Sequence, residues 1–60
     1  MATRQETKAL LRKSRSDLDG YIRAAQAAFQ AGDYRACGVA ARKAAASAVA
    51  ARKAEDALPR

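Results

Sequence analysis

The side chains able to do chemistry are one thiol, Cys37, two close carboxylate pairs, Asp17 with Asp19 and Glu55 with Asp56, and twelve lysines and arginines in a chain with no histidine. General acid–base work needs an imidazole or paired carboxylates in a sheltered pocket, and the order of these residues builds none. The acidic pairs have plainer uses. Asp17 and Asp19 stand where a helix start favours negative charge, and Glu55 or Asp56 can pair with Arg52 or Lys53 one turn earlier. A single cysteine allows neither an internal disulfide nor a thiol pair for a metal, and Cys37 reads as a small buried hydrophobe on the inner face of a helix. Gly20, Gly32 and Gly38 lie too far apart for a phosphate-cradling loop. The expectation is a protein that is not an enzyme and takes no cofactor, metal or small-molecule substrate.

The basic residues make a different case. Twelve cations against six acids leave a net charge of +6, which suits contact with nucleic acid, an anionic membrane surface or an acidic protein. Arg4, Lys8, Arg12, Lys13 and Arg15 form a basic first stretch, and Arg42, Lys43, Arg52 and Lys53 a second set. Together they can follow the phosphate backbone of RNA or DNA without sequence preference. Stacking on single-stranded bases has little support, because Tyr21, Phe29 and Tyr34 are the only aromatic residues and have uses in the core and the turn. The plainer reading of the cations is a solvated surface.

A pair of helices must carry these groups. Leu11, Leu18, Ile22, Ala25 and Phe29 recur at spacings of one and two helical turns and predict the inner face of a first helix. That helix either runs unbroken from about Thr3, as the helix formers from Lys8 to Lys13 favour, or restarts near Ser14 to Asp17, where Ser16 and Asp19 approximate a capping box. Residues 1–15 are accordingly a basic arm or a helix extension, and residues 16–60 a helical hairpin. Gly20 inside the first helix marks a bend or makes room for a close neighbour. Gly32 can take the left-handed conformation that ends a helix, and Asp33 is placed to cap the next one. So short a connection makes the helices antiparallel. The second helix runs to about Leu58, where Pro59 stops it.

That second helix is built on alanine. Eighteen of the thirty hydrophobic residues in the chain are alanine, and a surface of methyl groups lets another helix approach closely. Cys37, Ala40, Ala41, Ala44, Ala48, Ala51 and Leu58 are expected on the side facing the first helix. Within that set Ala40, Ala44, Ala48 and Ala51 form the close seam, filled by Leu18, Ile22 and Phe29. Val39, Ala46 and Val49 fall on the opposite side among the cations, and such an apolar strip on a solvated face suggests a further contact. Large apolar side chains are few, and a chain of this length hides only about 60% of the surface its unfolded form exposes. The fold expected is therefore all-α: an antiparallel two-helix hairpin that completes a four-helix bundle by dimerisation or by docking on a larger protein.

The stretch from Leu18 to Ala54, with Ala24-Ala25, then Phe29, the Gly32-Asp33-Tyr34 turn and the run Ala40-Ala41-Arg42-Lys43-Ala44-Ala45, resembles the central helical hairpin of HEPN domains. It is also similar to a single tetratricopeptide unit and to hairpins in long-helix ribosomal proteins that lie along RNA. The HEPN resemblance implies a helical bundle, often dimeric, and in some members an RNA-cleaving activity that depends on a histidine motif. With no histidine in this chain that activity does not carry over. No apolar run is long enough to span a membrane and the first residues lack the apolar centre of a secretory signal, so a cytoplasmic location and no membrane contact are expected. Arg, Ser and Ala in the first sixteen residues also fit an organelle presequence, although Glu6 and Asp17 argue against it. The function expected is that of a non-enzymatic interaction or structural module, pairing with itself or with a larger protein. The alternative is a basic protein associated with RNA or DNA, and a third reading is an adaptor for one acidic protein surface.

Overall fold

The computed structural model describes residues 3–59. Two helices, α1 (Arg4–Gln30) and α2 (Tyr34–Ala57), account for nearly all of them and pack as an antiparallel hairpin 42 Å long and only 18 by 13 Å across. Its radius of gyration, 13.6 Å, exceeds the roughly 10 Å of a compact chain of this length. Among the described residues no helix is long and apolar enough to cross a membrane.

Helix α1 starts on Thr3, whose hydroxyl accepts the Glu6 N–H at 3.1 Å. Thr3 thus meets one of the four amide groups that a helix start leaves unpaired, and Glu6 adds negative charge where the helix dipole favours it. From there the helix runs without interruption past Ser14–Asp17 and past Gly20. Neither a restart nor a break occurs, so the basic first stretch is the outer half of α1. A methyl group built on Gly20 meets no atom within 4 Å, and glycine inside a helix is less stable than alanine by about 1 kcal/mol. Gly20→Ala should therefore raise the stability of the hairpin by about 1 kcal/mol, read as a higher midpoint in a urea or thermal melt followed by helix signal.

The reversal takes three residues. Gly32 adopts φ +76°, its N–H bonds the Phe29 carbonyl at 3.1 Å, and the Asp33 N–H bonds the Ala28 carbonyl at 2.9 Å. This pattern closes the carbonyls that the end of α1 would otherwise leave open. Asp33 then serves the next helix, its carboxylate accepting the Ala36 N–H at 3.1 Å and its carbonyl the Cys37 N–H at 3.0 Å. One residue finishes α1 with its amide and begins α2 with its side chain.

The seam between the helices is set by burial. On α1 the inward positions are Thr7, Leu11, Ser14, Leu18, Tyr21, Ala25 and Ala28; on α2 they are Cys37, Ala40, Ala44, Ser47, Ala51, Ala54 and Leu58, with Ala50 half-buried at their edge. Both series alternate steps of three and four, the heptad spacing of a coiled coil. Among the described residues Ser14, Ala40 and Ala54 are the buried ones, with Ala54 only 3% exposed, and no large side chain is fully enclosed.

The seam corrects the sequence reading in two places. Ile22 and Phe29 were expected inside and are exposed, Phe29 by 63%; Ala41 and Ala48 were expected against α1 and also lie exposed. The cause is the closeness that alanine allows. Helices approaching on methyl groups leave room between them for Ser14 and Ala28, whereas a phenyl ring must move to the edge. Two stripes of seven-residue period lie side by side on α1, and the smaller one turns inward.

Candidate docking face

Three of the six large apolar side chains exposed among the described residues, Ile22, Phe29 and Tyr34, share one flank. Moving one step around each helix from the seam, on the side where Arg15 of α1 reaches Glu55 of α2 at 3.6 Å, α1 presents Lys8, Arg15, Ile22 and Phe29 at seven-residue intervals. In the same way α2 presents Tyr34, Ala41, Ala48 and Glu55. The half of this flank near the turn is apolar. Phe29 and Tyr34 meet edge to face with ring centroids 6.2 Å apart, an arrangement that suits the aromatic quadrupoles. Beside them Gly38, Ala41, Ala45 and Ala48 are all exposed and form a shallow trough along α2, next to the ridge of Ile22 and Phe29 on α1. A hollow of about 390 Å³ at the foot of the ridge is lined by Ala25, Gln26, Phe29, Gln30 and Cys37.

The opposite flank is less uniform. Leu10 and Val39 are exposed there, but Lys43 crosses it with its ammonium 5.9 Å from the centre of the Tyr21 ring. Tyr21 is thereby half-buried in the seam under a cation. Val39, Ala46 and Val49 do stand exposed, with Val49 beside Ala48, Arg52 and Lys53 around a shallow hollow of about 550 Å³. Ala40, Ala44 and Ala51 are turned into the seam within the hairpin. Of the seven small residues first singled out for contact, four therefore remain available to a partner: Val39, Ala46, Ala48 and Val49.

The far end of the hairpin carries the charge. Lys8, Arg12 and Arg15 surround a hollow of about 360 Å³ floored by Leu11 and Leu58. Ion pairs take up three of the cations: Arg15 with Glu55, Arg23 with Asp19 at 3.1 Å, and Arg52 with Asp56 at 3.6 Å. All three pairs are exposed and contribute little to stability. Among the described residues Arg4, Lys8, Arg12, Lys13, Arg42 and Lys53 have no carboxylate within 4 Å. Asp19, Glu55 and Asp56 stand in these pairs and Asp33 caps α2, and no group of three potential ligands gathers among the described residues.

The accessible surface sums these features. The chain exposes 4922 Å², whereas a compact monomer of 6.4 kDa exposes about 3,800 Å². The excess of roughly 1,100 Å² is of the size that one partner loses in a stable protein–protein interface, about 800 Å² or more. What sequence reasoning missed is the importance of Ile22, Phe29 and Tyr34 on this flank. The signal was present in the seven-residue step from Ile22 to Phe29 and again from Tyr34 to Ala41 and Ala48. Comparison of the chain with models of known protein families, with curated proteins and with solved structures returns no match.

Proposed function

We propose that this protein is a non-enzymatic interaction module, a helical hairpin whose core is completed by a helical partner, either a copy of itself or a larger protein. The observation that carries this reading is the imbalance of burial: Ala40 and Ala54 are the buried apolar residues, while Leu10, Ile22, Phe29, Tyr34, Val39 and Val49 stand exposed. At about 25 cal/mol per Å² of apolar surface removed from water, alanine methyls return little against the entropy of ordering the chain. A partner covering the larger side chains supplies what is lacking. The likeness to HEPN and tetratricopeptide hairpins points the same way, since those hairpins also hide their faces against further helices.

Folding coupled to association makes helix content depend on concentration. Circular dichroism of the isolated chain between about 1 µM and about 1 mM should show helix signal rising with concentration, or low throughout until a partner is added. A hairpin that stays fully helical and monomeric over that range removes the reading.

A second reading has its own support in Lys8, Arg12 and Arg15 around one hollow and in the unpaired cations. Arg4, Lys8, Arg12, Lys13 and Arg15, with Arg42, Lys43, Arg52 and Lys53, would then contact the phosphates of RNA or DNA. Binding of that kind weakens steeply with salt, with a slope of about 0.9 per phosphate neutralised on duplex DNA. Titration with mixed-sequence RNA and DNA at low salt tests it, and a flat response excludes it.

A further inference from the structure

We infer that the partner is a second copy of this chain, seated on the flank that carries Ile22 and Phe29, with the two hairpins side by side and both turns at the same end. The inference rests on the interaction-module reading and specifies its partner and face. Three observations carry it.

The first is shape. An isologous interface needs a patch that holds both halves of a fit, because each copy offers the same surface. This flank holds a ridge, Ile22 and Phe29, directly beside a trough of Gly38, Ala41, Ala45 and Ala48. A two-fold axis along the length of the hairpins lays α1 of each copy over α2 of the other, so each ridge enters the opposite trough. A two-fold axis across the length would set ridge on ridge and trough on trough, holding the copies apart where large side chains meet. Only the first arrangement lets both halves close. In it every neighbouring pair of helices is antiparallel, as in a four-helix bundle. Gly38 fits this use, since a methyl group added there meets nothing within 4 Å in its own chain and its absence keeps the head of the trough open.

The second is charge. Two copies of a chain with net charge +6 repel, so they meet most easily where neither carries a cation. From Ile22 to Phe29 and from Gly38 to Ala48, the residues on this flank include no charged side chain. Cations meet it only at its edge, where Ala48 shares a hollow with Arg52 and Lys53. The third is area: the excess surface of about 1,100 Å² per chain doubles to a total within the range of stable homodimers.

Sedimentation equilibrium with parallel circular dichroism tests the inference on the full chain. The wild type is expected to be dimeric. Ile22→Ser with Phe29→Ser should weaken the dimer by roughly a hundredfold or more, as the loss of two buried apolar side chains requires. Ala45→Leu, which fills the trough at a position exposed in the hairpin, should weaken it by a similar factor, with the helix signal returning at the higher concentrations where the dimer re-forms. Leu10→Ser with Val39→Ser, exposed on the opposite flank, should leave the dimer unchanged. Spin labels on Ala31→Cys in a Cys37→Ser background should lie much closer together than the 42 Å length of one hairpin. A dimer indifferent to Ile22, Phe29 and Ala45 but broken at Leu10 and Val39 overturns the face assigned here and leaves the interaction-module reading standing. Labels a hairpin length apart overturn the arrangement. A wild type that is monomeric and largely unfolded excludes the second copy while the need for a partner stands, and a fully helical monomer removes both.

Discussion

Ala54→Leu should lower the melting midpoint of this hairpin by roughly 10 °C or more. Ala54 is the most buried residue of the seam, 3% exposed, at a position where α2 lies close enough to α1 for a serine and alanines to be enclosed. Three additional carbons there cannot be hidden without parting the helices or forcing side chains off their rotamers. Overpacking of this kind costs about 1–3 kcal/mol in ordinary cores. A chain of sixty residues has only about 3–9 kcal/mol to lose, and one whose seam is mainly alanine lies toward the lower end. A loss near 2 kcal/mol moves the melting midpoint of so small a domain by roughly 10 °C or more. Ala46→Leu is the control, because Ala46 is exposed and leucine is nearly as good a helix former as alanine. The two variants add the same atoms to the same helix, so equal melting midpoints would refute the seam itself.

Gly32→Val should weaken the hairpin by about 2 kcal/mol through the backbone alone. The residue holds φ +76°, in the left-handed region that costs L-residues about 1–2 kcal/mol and β-branched ones more. No steric clash contributes, since a methyl group placed on Gly32 meets nothing within 4 Å. The effect therefore follows the conformational preference of each substitute rather than its size. Asparagine, which visits the left-handed region most readily after glycine, should be tolerated best, alanine less well and valine worst. Thermal melts of the three variants give the order directly. A valine variant as stable as the asparagine one would mean that the turn does not use this conformation. The contrast with Gly20→Ala is the useful one: in the same chain one glycine is required and another is a weakness, and only the sign of φ separates them.

The hairpin, its direction and its turn were legible in the sequence because each rests on local chemistry. Gly32 and Asp33 name a helix end and a helix start whatever surrounds them, and Pro59 marks the far limit of α2. The seam was legible only in part. Leu11, Leu18 and Ala25 on one side and Cys37, Ala40, Ala44, Ala51 and Leu58 on the other could be assigned from period alone. Ile22 and Phe29 belong to a parallel stripe with the same repeat, and a preference for large apolar residues placed these two inside. What decided against them is the distance between the backbones, a property of both helices together that neither stripe displays alone. Ser14, Thr7 and Ser47 were passed over for the same reason, since their value at the seam lies in their small size. The candidate docking face follows from that exchange: side chains that a wider hairpin would have enclosed are left outside.

The small-residue side of the seam has one more consequence. Sliding α2 along α1 by two turns would offer the side chains of α1 much the same small residues as before, so α2's inner surface by itself does little to fix the longitudinal register. Ala31, Gly32 and Asp33 impose it, through a connection too short to permit such slippage. Alignment along the length is thus governed from one end, in the manner of a hinge pin. Toward the other end Arg15 and Glu55 form a salt bridge of 3.6 Å between the two rods.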